Sequence, residues 1–109
     1  MRKVEEQMVA AVKARRPMKC GNTTVERFEP VMVVKLHGNT IAKIEDGSLT
    51  WQWTLAGWNT VTTRSRVNAL SRAFGGDSVG TIKGTPHIGG RNGHAIRSDE
   101  WVIAPMVQS

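Results

Sequence analysis

At 109 residues the chain has room for one domain around one core, and its single cysteine, Cys20, excludes an internal disulfide. No stretch approaches the roughly 20 apolar residues of a membrane span, and the charged start "MRKVEEQMVAAVKARR" lacks the uninterrupted apolar run of a signal peptide, so a cytoplasmic location away from membranes is expected. The formal charge of +6 is unevenly spread, with +4 over residues 1–20, −1 over 21–61, +5 over 62–97 and −2 after that, a distribution that suits an anionic partner as well as simple solubility.

Val4, Met8, Ala11 and Val12 recur at helical spacing, with Glu5, Lys13 and Arg16 read as lying off that stripe, and Pro17 ends the pattern. This predicts a helix over about residues 2–15. The segment "KCGNTTVERFEP" reads as a loop that leads into a strand near Thr23 to Phe28, interrupted at Pro30. "VMVVKLHGNTIAKI" reads as a hairpin turning at Gly38-Asn39 in a type II′ geometry, with His37 beside the turn as an ordinary strand-end residue. Asp46-Gly47 signals a second turn. Leu49, Trp51, Trp53 and Leu55 then alternate with polar residues, which predicts a strand with one apolar face. Trp51 and Trp53 are expected in the core, because a chain with two phenylalanines and no tyrosine needs large side chains to fill its interior.

Gly57 ends that strand. Thr60, Thr62 and Thr63 offer hydroxyls to cap a helix over about 62–74, with Gly75 and Gly76 at its exit. Val67, Leu70 and Phe74 form its buried face, and Arg64, Asn68, Ser71 and Arg72 lie together on another, with Ser65 beside them. That second face is rich in donors and free of carboxylates, since no Asp or Glu occurs between Asp46 and Asp77. An ordinary solvent face mixes signs, so this one is a candidate anion-binding surface. Beyond Gly76, short strands are predicted at Val79 to Lys83, Thr85 to Ile88 and Trp101 to Ala104, with a type I′ turn at Asn92-Gly93. The expected fold class is α+β: an antiparallel sheet of about five or six strands with two packed helices.

Motifs that would carry catalysis fit poorly. "GDSVG", residues 76–80, matches a serine-nucleophile pattern, but that elbow needs a strand before it and a helix after it, the reverse of the order predicted here. His87 and His94 flank a predicted hairpin tip and would form a metal-binding or acid–base pair if they faced each other, with Asp99 or Glu100 as a third group. Cys20, His37, Asp99 and Glu100 are too scattered for a zinc site, so no metal and no cofactor is expected. Gly89, Gly90, Arg91 and Gly93 fit a loop whose backbone and Arg91 touch phosphate or a partner.

The run from Leu36 to Leu70 holds "HGNTIA" before a hairpin, then Gly57, Trp58, Thr60, Thr62, Thr63, Arg64, Arg66, Val67 and Asn68 in a GW-x-T-x-TTR-x-R-[LV]-N pattern. In this third of the chain it resembles small proteins of tailed bacteriophages. The resemblance implies a phage setting, in which small basic proteins bind host enzymes, defence complexes or nucleic acid, and it brings no activity with it.

The expectation is therefore a non-enzymatic phage accessory protein that binds nucleic acid, or an acidic face of a host complex that handles it, through Arg64, Asn68, Arg72 and Arg91. Trp58 is either a base-stacking ring or a core plug beside the strand end, and burial as a plug is expected. Two other classes stay open: a small nuclease or hydrolase built on His87 and His94, and a structural phage component that self-assembles through Met8 and Val12 of the first helix. Oligomeric state is left open.

Overall fold

Helix formation begins where apolar spacing and the chain's acidic first turn favour it. In the computed structural model, which describes residues 3–90 and 93–107, helix α1 spans Lys3–Ala14. It ends at Arg15, whose left-handed φ of 55° is accompanied by hydrogen bonds from Arg16 N to Ala11 O and from Arg15 N to Val12 O. The guanidinium of Arg15 reaches Glu29 and the Pro30 carbonyl. These contacts offset the strain of a side chain at a position that glycine usually fills.

Strands β1 (Met18–Cys20), β2 (Thr23–Phe28), β3 (Val31–Leu36), β4 (Asn39–Glu45), β5 (Thr50–Trp53) and β9 (Val102–Pro105) form one six-stranded antiparallel sheet in the order β1-β2-β3-β4-β5-β9. Between β5 and β9 the chain forms helix α2 (Val61–Phe74) and the strands β6 (Val79–Ile82), β7 (Thr85–Ile88) and β8 (His94–Ala95), which make a separate three-stranded sheet. The class is α+β, as the sequence predicts. The second sheet is an addition to the expected architecture.

Several local expectations are corrected. Lys19 and Cys20, read as loop, belong to an edge strand, Met18–Cys20, since Gly21 with φ 59° closes a tight hairpin onto β2. The β3–β4 turn falls one residue early, at His37-Gly38, where φ values of 52° and 80° make it type I′ and put His37 in the turn itself. Leu49 was expected on the apolar face of the fifth strand. It lies before that strand starts and is 74% exposed. The last strand is displaced by one residue, to Val102–Pro105. Asn92 of the predicted Asn92-Gly93 turn lies outside the described residues.

Both helices cover one face of the large sheet. Met8, Val9, Ala11 and Val12 from α1 and Val67, Ala69, Leu70 and Phe74 from α2 meet Val25, Met32, Val34, Trp51, Trp53 and Ala104 from the strands. Trp51 and Trp53 are core, as expected, and the Trp51 indole N–H donates to the Gly75 carbonyl at 3.0 Å while its ring meets Phe74 edge-on. Met8 and Val12 are fully committed to this interior, so they offer no oligomer seam. A register shift between Val34 and Lys35 leaves Ile41 without a partner on β3, and Ile41 and Ala42 are both buried.

Candidate nucleic-acid interface

Helix α2 starts at the N-cap Thr60, whose hydroxyl accepts from Thr63 N. Its three arginines then have three different environments. Arg66 points inward: its Nη1 donates to Glu5 Oε2 at 2.8 Å, its Nε donates to Thr23 Oγ1 at 3.0 Å, and Ser65 also donates to the Glu5 carboxylate. Glu5, read from the sequence as lying off the apolar stripe, is in fact buried on it. Arg64 is half-buried and donates to the Asn59 side-chain carbonyl. The Asn59 amide in turn donates to Thr81 Oγ1 and to the Gly84 carbonyl, both at 3.2 Å, which brings the Lys83-Gly84 tip of the β6–β7 hairpin beside the start of α2. Arg72 is exposed.

A shallow depression of about 250 Å³ gathers Arg64, Asn68 and Arg72 with Val61, Ser65 and Val79. Three of the predicted binding residues therefore share one surface. Asn68 contributes less than expected as a free donor, because its amide is spent on both backbone groups of Val79, accepting from the N–H at 2.7 Å and donating to the carbonyl at 3.0 Å. Ser71, also placed on this face, is buried, and its hydroxyl has no hydrogen-bond partner. Arg91 lies outside the described residues.

Trp58 is 60% exposed and is not a plug. A turn closed by Trp58 N–H to the Leu55 carbonyl lifts it clear of the strand end, so being next to a buried strand does not bury the ring. It lines a groove of about 470 Å³ together with Leu36, His37, Ile41, Thr60 and Thr62. The groove and the arginine depression share no lining residue, but Thr60 and Thr62 of the one alternate along the start of α2 with Val61 and Arg64 of the other.

Outside α2, four of the ten described basic side chains are paired with carboxylates, and Lys3, Lys13, Arg16, Lys19 and Lys43 are among those that are not. Arg15 and Arg27 meet Glu29, Lys35 meets Glu26 at 2.6 Å, and Arg97 meets Asp99 at 3.3 Å. The Arg27 guanidinium holds the Glu29 carboxyl below its ordinary range, and Arg15 adds to the effect. Among the described residues Arg64, Arg72 and Lys83 have no carboxylate within ion-pair distance.

The histidine pair does not assemble. Antiparallel register sets His87 opposite Ala95 and Ile88 opposite His94, so the two imidazoles project to opposite faces of the hairpin. His87 Nδ1 instead lies 2.9 Å from the Thr85 carbonyl. Among the described residues no three metal-ligating side chains converge. The "GDSVG" serine follows a helix and precedes a strand, as expected, and so forms no nucleophile elbow. No helix among the described residues is long and apolar enough to cross a membrane.

Sequence reasoning missed two contributors, Asn59 and the buried pair of Glu5 and Arg66. The signal for the pair was present as angular position, because Glu5 is in helical line with Met8, Val9 and Val12, and Arg66 with Thr63 and Leu70. Asn59 had no such signal, since its partners are brought to it by a hairpin more than twenty residues further along the chain.

Comparison with known proteins places the chain. No curated protein and no solved structure matches it. A family model, that of the Kyanoviridae Gp96 protein, matches residues 1–107, well beyond the central third that carried the resemblance. The chain belongs to the Kyanoviridae Gp96 protein family, a family of bacteriophage proteins.

Proposed function

We propose that this phage protein is a non-enzymatic accessory factor that binds nucleic acid in the host cytoplasm through the basic face of α2. The observation that carries the reading is the division of the arginines. Arg66 is neutralised internally by Glu5, whereas Arg64 and Arg72 are held on one surface, with Lys83 brought near, and none of the three meets a carboxylate among the described residues. Clustered guanidinium groups with no internal counterion attract phosphate, and an exposed aromatic ring at the start of the same helix adds a stacking surface.

Titration of labelled single- and double-stranded DNA and RNA oligomers at two salt concentrations tests the reading. Binding that weakens steeply with salt supports it. Absence of binding to all of them removes it and leaves an acidic face of a host protein as the partner, which pull-down from a nuclease-treated lysate would reveal.

A further inference from the structure

The groove beside Trp58 has a second feature that the arginine face lacks, a histidine whose orientation is fixed from the interior. Arg66 Nε donates to Thr23 Oγ1 at 3.0 Å, and Thr23 Oγ1 donates to Asn22 Oδ1 at 3.3 Å. With its carbonyl oxygen engaged as an acceptor, Asn22 presents its amide nitrogen to His37 Nε2, 3.1 Å away. An amide nitrogen only donates, so in this arrangement Nε2 is the accepting atom and Nδ1 is left for other partners. A directional chain therefore runs from the buried Glu5–Arg66 pair to a groove-lining imidazole.

The groove itself suits a flat, amphipathic ligand. At about 470 Å³ it is within the size range of small-ligand pockets. Its walls are apolar at Leu36, Ile41 and Leu55, and it offers hydrogen-bonding groups from His37, Asn39 and Thr62. The lining contains no carboxylate, and neither does the first turn of α2. The half-buried Arg64 stands one turn further along the same helix.

We propose that this groove takes one unpaired base of a single-stranded nucleic acid, stacked on Trp58 and bonded at its edge by His37, Asn39 or Thr62, while the adjoining phosphates run over Arg64 and Arg72. The inference rests on the nucleic-acid reading above and narrows it to a strand form, because a base inside a duplex has both faces covered and its pairing edge engaged. The charge of the surroundings selects the occupant: an aromatic ring attached to phosphate fits a groove without carboxylates next to unpaired guanidinium groups.

Fluorescence anisotropy with a labelled 12-mer, presented single-stranded and as the duplex of the same sequence, tests it on the intact protein. The single strand should bind at least about tenfold more tightly, and Trp58→Ala or the groove-filling Thr62→Phe should each weaken single-strand binding by about 5- to 150-fold, bringing it close to duplex affinity. Melting temperatures of both variants, measured on the same samples, should match the parent. Equal affinity for the two forms, or single-strand preference kept in both folded variants, overturns the base-pocket proposal while leaving the arginine face in place. If neither form binds, the wider nucleic-acid reading fails with it.

Discussion

Glu5 and Arg66, sixty-one positions apart, meet at 2.8 Å with side chains only 2% and 5% exposed, and they join α1 to α2 beside Thr23 at the start of β2. A buried guanidinium deprived of its carboxylate is an uncompensated charge. Arg66→Met or Glu5→Leu alone should therefore cost about 3 to 5 kcal/mol, whereas the double replacement, which leaves an apolar pair of similar volume, should regain more than half of that loss. Urea unfolding of the three variants reads this directly, and a double-variant loss equal to the sum of the two single losses would show that the charges contribute nothing as a pair.

Asn68 is the clasp between α2 and the small sheet. Removing its amide in Asn68→Ala strands the buried N–H and carbonyl of Val79, at a cost of about 1 to 3 kcal/mol. The loss should be local as well as global: amide exchange across Val79–Ile88 should quicken more than across β3 and β4.

Gly75 leaves α2 at φ 119° and passes so close to β9 that a Cβ would sit 2.5 Å from the Pro105 carbonyl oxygen. Gly75→Ala should lower stability by about 2 to 5 kcal/mol through backbone strain and overlap. Gly80, with open space around its Cα and no left-handed φ, is the matched control, and Gly80→Ala should change stability by less than about 1 kcal/mol.

The tryptophans divide in the same way. Trp51 is buried against Phe74 and bonded to Gly75, so Trp51→Ala should cost about 3 to 5 kcal/mol. Trp58 keeps most of its ring in solvent, and Trp58→Ala should shift stability by no more than about 0.5 kcal/mol in thermal or chemical denaturation.

Local pattern made much of this fold legible. Period-two alternation located β5 and its two core tryptophans, threonine chemistry located the start of α2, and Pro17 located the end of α1. What stayed hidden depends on long-range pairing. Three residues at Met18–Cys20 carry too little pattern to read as a strand until β2 lies beside them. Leu49 fits the alternation by spacing, but the strand that realises it starts one residue later, at Thr50. The candidate site was half legible for the same reason: Arg64, Asn68 and Arg72 share a helix face by spacing alone, but only tertiary structure turns Arg66 inward onto Glu5, occupies the Asn68 amide with Val79 and lifts Trp58 into solvent. His87 and His94 show the converse error, since neighbouring positions across a hairpin tip in sequence became opposite faces once the register was set.

The salt dependence of single-strand binding, compared between the parent protein and Arg64→Ala/Arg72→Ala, tests the central claim most directly. Each phosphate neutralised on a single strand contributes about 0.7 to the slope of log K against log salt, so loss of two contacts should flatten that slope by about 1.4 and weaken binding, with the fold intact by circular dichroism. A double variant that keeps the parent's slope and affinity would contradict the account.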